Sequence, residues 1–153
     1  MPRSARPRKA YRPRPIGIPT SIRFSQADET DLQLLPHLDL ERFRTGTADA
    51  AGWSVLATRV NWGAVLAARH APEAVERMQN GVRALAAVIG RHAAIGRWGV
   101  DGGQFRAIAD ALDVVDQLQV QLTRRELADA LHVVNSTTHR PEKTGELMEI
   151  LTA

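Results

Sequence analysis

The chain has 153 residues, 44% hydrophobic and 24% charged, with a net charge of +3 and no cysteine. That is the length of one domain. The missing cysteine excludes disulfides and thiolate metal sites, and no apolar run is long enough to cross a bilayer. Aromatics make up only 5%, so the core must be built from Leu, Val, Ile and Ala. Alternating apolar stretches are nearly absent, and Ala and Leu favour helix. The expected fold is all-α: a compact antiparallel bundle of about five helices over residues 25–153, preceded by a disordered or extended basic arm over residues 1–24.

The arm holds Arg3, Arg6, Arg8, Lys9, Arg12, Arg14 and Arg23 and no acid, a charge of +7. The rest of the chain sets 13 of the 20 basic residues against all 17 acidic ones, a net of −4. Prolines 2, 7, 13, 15 and 19 bias the arm toward extended conformations and oppose the amphipathic helix of a transit peptide. No apolar segment of a secretory signal follows the basic start, so the expected location is the cytoplasm. Three uses of such an arm stay open: phosphate or minor-groove contact with nucleic acid, docking on an acidic protein surface or a second copy, and simple solubilisation. Tyr11 is placed to stack on a base or fill a pocket.

In the body, Ser25 to Leu35 suits a short helix with acids near its start. Pro36 is expected to end or kink it, with a restart from Leu38 and a stop at Gly46. Thr47 or Asp49 caps a longer second helix reaching about Arg69. Trp53, Leu56, Ala57, Val60, Ala64 and Ala67 form one stripe on it, and Asn61 lies at the stripe's edge. Val55, Trp62 and Leu66 fall on the opposite side, so this helix is either central in the bundle or shared with a partner, and the three are the candidate interaction surface for a second copy or another protein. Pro72 suits the opening of a third helix, with Val75, Met78, Val82, Leu85, Ala86, Ile89 and Ala93 inward. On it, Gly81 and Gly90 either weaken the helix or admit a close neighbour.

Asp101 with Gln104, and Thr123 with Glu126, are capping boxes that open a fourth and a fifth helix. Phe105, Ile108, Ala109, Leu112 and Val115 face inward on the fourth; Leu127, Leu131 and Val134 do so on the fifth. Residues 135–140 read as loop, and residues 141–151 as a short frayed helix.

None of His37, His70, His92, His132 and His139 has a second ligand at metal spacing on one helix face, so no metal is expected. The glycine-rich loop before Gln104 lacks Gly-Lys-Ser/Thr and a preceding strand, which excludes a nucleotide loop. Leu122 to Leu131 reads like the first helix of a helix-turn-helix, but the turn glycine and the apolar recognition helix are missing. Asp116 projects close to the middle of the fourth helix's apolar stripe, so it is expected to be buried and paired. Arginine, tryptophan, the Asn61 amide and a loop N–H are its candidate donors. Paired carboxylates on one face are absent, so no catalytic residue, cofactor or small-molecule substrate is expected.

The run Arg8-Lys9-Ala10-Tyr11-Arg12-Pro13-Arg14-Pro15, followed by Arg44-Thr45-Gly46, Trp53 and Asn61, resembles small proteins of proteobacterial phages and prophages over about the first half of the chain. The resemblance implies a phage or prophage origin and a life in the host cytoplasm; it carries over no catalytic residue. The resulting expectation is a non-enzymatic binding protein whose arm (Arg3, Arg6, Arg8, Lys9, Tyr11, Arg12, Arg14) contacts nucleic acid and whose body self-associates. The alternative is an interaction protein that binds and inhibits or redirects a host protein.

Overall fold

The structure, a computed structural model, describes residues 26–138. The arm residues and the segment expected to form a short helix over 141–151 lie outside the described residues. Five α-helices follow one another, with no strand among the described residues: α1 (Gln26–Thr45), α2 (Ala50–His70), α3 (Val75–Ile95), α4 (Gly102–Gln121) and α5 (Arg124–Thr138). The links are short, as in an antiparallel bundle. A 3₁₀ turn over Pro72–Ala74 leads into α3. No helix among the described residues is long and apolar enough to cross a membrane.

The helix starts follow from local chemistry. Asp49 accepts from the Gly52 N–H at 2.8 Å and caps α2. Asp101 and Gln104 exchange backbone bonds at 2.8 and 3.0 Å at the head of α4. Thr123 and Glu126 do the same for α5, with the Thr123 N–H donating to the Glu126 carboxylate at 2.8 Å. Gly96 closes α3 in the left-handed conformation, at φ 69°, which a side chain would resist.

α1 runs through Pro36 without ending. The proline forgoes one backbone bond, but its ring is buried, and Leu40 and Phe43 anchor the half that follows. α5 also runs further than expected, to Thr138, with no turn near His132. Ser136 and Thr137 return their hydroxyls to the Val133 carbonyl, at 2.9 and 2.7 Å, instead of opening a loop.

α2 is the central helix, in contact with α1, α3, α4 and α5. Leu56, Val60 and Leu66 are fully buried, together with Met78 and Val88 of α3 and Ile108, Leu112 and Val115 of α4. Gly63 is a seat for α4: a Cβ there would lie 2.1 Å from Val115 Cγ2 and 2.7 Å from Met78 Cε. Gly81 plays the same part between α3 and α4, where a Cβ would lie 2.5 Å from that of Ala111. The buried face of α3 is therefore turned from the expected one, onto Met78, Gly81, Ala84, Leu85 and Val88, and Ala86 and Ala93 are exposed. In the α3–α4 link, Trp98 stacks on His92 at 3.8 Å and meets the Phe43 ring edge-on at 5.9 Å.

Candidate functional site: an apolar groove with a charged wall

On α2, Val55, Arg59, Trp62 and Leu66 recur every three or four residues and so share one side of the helix. The expected interaction surface needs correction here. Leu66 is 0% exposed and Trp62 only 9%, because both are covered within this chain. The Trp62 indole N–H donates to the Leu127 carbonyl of α5 at 2.9 Å. Of the three, only Val55 remains exposed.

α5 covers this side of α2 incompletely. Between them and α1 lies an open groove of about 580 Å³. Leu35 and Pro36 form one wall, Val55, Arg59 and Trp62 the floor, and Leu127 and Leu131 the other wall, with Arg124 at the edge. Leu131, expected inward, is exposed and lines the groove. Leu34, Leu35 and Leu38 are all exposed on α1. At about 100° per residue these three leucines share a sector about 100° wide, a ridge that runs outward from the groove wall.

A charged cluster lies behind the groove floor and begins at Arg59, whose side chain is only 8% exposed. Its guanidinium lies over the Trp62 ring, 4.8 Å from the centroid. Nη2 donates to Asp116 Oδ1 at 3.0 Å and to the Gln119 side-chain oxygen. Burial pulls Arg59 below its ordinary value, and the bond and charge of Asp116 pull it back. The group stays cationic, as arginine does in proteins. Its Nε and the Gln119 Nε2 are buried without a partner.

Asp116 turns its other oxygen to His37, with Oδ2 2.8 Å from Nε2. The carboxylate is 20% exposed, and Asn61 is half-buried. The two polar residues expected to be buried, Asp116 and Asn61, are thus only partly buried. Full burial falls on Arg59 and Gln119, because Asp116 sits at the margin of α4 that faces α1 and His37. Arg59 and His37 supply the polar contacts of Asp116. His92, on α3, is occupied with Trp98 instead.

His37, Asp113 and Asp116 bring one ligand atom each to within 4.8 Å of one another. No search along a single helix finds this set, because it joins α1 to α4. Arg59 already places a positive charge on Asp116, which opposes a cation there. Neither His37 nor Asp116 lines the groove.

The chain matches no family model, no curated protein and no solved structure. Arg3, Arg6, Arg8, Lys9, Tyr11, Arg12 and Arg14 lie outside the described residues, so the geometry adds nothing to their sequence-based role. Arg59 is the residue that reading by stripes passed over, although a charged side chain amid Val55, Trp62 and Leu66 is the same signal that singled out Asp116.

Proposed function

We propose that this chain is a non-enzymatic binding protein of phage or prophage type, working in the cytoplasm, whose helical body self-associates and whose arm takes nucleic acid. The observation that carries self-association is the groove beside the exposed leucine ridge of α1. A ridge and a groove on the same face are self-complementary: a two-fold axis seats the ridge of each copy in the groove of the other. Leu34, Leu35, Leu38, Val55 and Leu131 are exposed large apolar side chains. Covering each of these half-exposed groups is worth about 1 kcal/mol before the cost of association is subtracted. With Arg124 at its edge, the groove also suits a second occupant, an amphipathic helix of another protein that carries an acid.

The arm supports the nucleic-acid half of the reading through its charge of +7 on an otherwise acidic chain. Its arginines and Lys9 neutralise phosphates, and Tyr11 stacks on a base. The test is a salt titration of DNA and RNA binding by the full chain, against a variant with Arg3, Arg6, Arg8, Arg12 and Arg14 changed to Gln. Binding should weaken steeply with salt, and the variant should flatten that dependence. Equal slopes would remove the arm from the reading. Sedimentation of Val55→Asp tests the groove: a monomer with unchanged helicity supports self-association. A wild-type chain that is already monomeric refutes self-association and leaves the groove to another protein.

A further inference from the structure

We infer that Arg77, Arg83 and Arg106 form a phosphate-binding cleft on the helical body, a second contact for the backbone of a nucleic acid. The inference rests on the nucleic-acid reading above but not on the arm.

A cleft of about 510 Å³ opens between α3 and α4, lined by these three arginines with Asn80, Gln104 and Asp110. The close approach at Gly81, where a Cβ would meet both Ala111 Cβ at 2.5 Å and the Ala107 carbonyl at 3.4 Å, brings the two helices together. Arginines from separate helices thereby face one space. Each is oriented by a neutral acceptor: Arg77 donates to the Asp110 carbonyl at 3.3 Å, Arg83 to the Asn80 side chain at 2.5 Å and Arg106 to the Gly102 carbonyl at 3.1 Å. Among the described residues, none of the three takes part in an ion pair. Asp110 is the one acid on the lining, so the cleft keeps an excess of positive charge.

Three guanidiniums around one cavity repel each other unless an anion lies between them. Arginine's planar fork matches a phosphate oxygen pair, and donors already held in place lose less freedom on binding. The apolar groove between α1, α2 and α5 offers nothing of this kind. The cleft therefore fits a phosphodiester run rather than an apolar ligand.

The test is anisotropy of a short fluorescein-labelled DNA duplex bound to the full chain over a series of salt concentrations. The three arginines are exposed, and each is changed to Gln, singly and together, with circular dichroism as the check on folding. Each lost phosphate contact should flatten the plot of log affinity against log salt by about one unit. The triple variant should flatten it by about three and bind at least about tenfold more weakly at low salt. Asp110→Asn should bind more tightly than wild type. A triple variant that keeps the wild-type slope overturns the cleft, and if the arm variant then loses binding, the arm reading survives alone. If the arm variant binds fully and the cleft variants do not, the cleft stands and the arm reading falls. No binding by the wild-type chain overturns both.

Discussion

α2 meets its neighbours in two ways. Toward α3 and α4 it presents Gly63 and Val60, and the backbones approach so closely that even one added methyl would collide with Val115. Toward α1 and α5 it presents Val55, Arg59 and Trp62, large groups that fill part of the space and leave a groove. α5 has α2 as its one substantial neighbour among the helices, so nothing in the described chain closes its outer flank. Small residues seal one side of this bundle, and large ones keep the other open. The sealed side is close-packed, and the open side leaves apolar surface exposed.

The comparison breaks most forcefully at Arg59. Arg59→Leu removes the cation from Asp116 and Gln119 and should lower stability by about 3 kcal/mol in urea unfolding. A loss under about 0.5 kcal/mol would show that the charged cluster does not hold α2 to α4. Gly63→Ala tests the sealed side. The clash with Val115 and Met78 should cost about 2 kcal/mol, read as a lower urea midpoint at unchanged slope. Gly90→Ala, in the same bundle but with nothing within 4 Å of its Cβ, should instead stabilise by about 0.7 kcal/mol. Opposite signs at the two glycines would show that contact geometry, not glycine itself, sets the outcome.

The smallest effect is expected at the head of α4. The Asp101 carboxylate is held below its ordinary value of 3.8, chiefly because the Gln104 N–H donates to it. A depressed value means that the ionised cap stabilises the fold above the unfolded-state pKa and loses that contribution as pH falls through the folded one. Melting points between about pH 5 and pH 2.5 should therefore fall more for wild type than for Asp101→Asn, which keeps the acceptor without the titration. Equal slopes would contradict a charged cap.

Much of the fold was legible because helix starts are written in short-range chemistry. Asp49, Asp101 with Gln104, and Thr123 with Glu126 are signals within four residues, and each opens a helix where the spacing places it. The failures all involve the third dimension. Pro36 reads as an end or a kink, yet α1 does not end there and the ring is buried. The α3 stripe reads as Val75, Met78, Val82, Leu85, Ala86, Ile89 and Ala93; Met78 and Leu85 are buried as expected, but the contact also runs through Gly81, Ala84 and Val88, and Gly81 carries no apolar signal. Trp62 and Leu66 read as either bundle interior or partner surface, because no local pattern tells which later helix will lie on them. The need for a donor at Asp116 follows from the α4 stripe, but the donors come from helices 57 and 79 positions away in sequence.

The chain has no cysteine, so introduced cysteines report contact between copies without background. Leu38→Cys lies on the exposed ridge and Val55→Cys in the groove. Mixed under mild oxidation, the two variants should form a disulfide-linked dimer much faster than Leu38→Cys mixed with Ala86→Cys, an exposed position on α3. That result is the one expected if the ridge of one copy seats in the groove of another. Cross-linking to Val55→Cys no faster than to Ala86→Cys would contradict it.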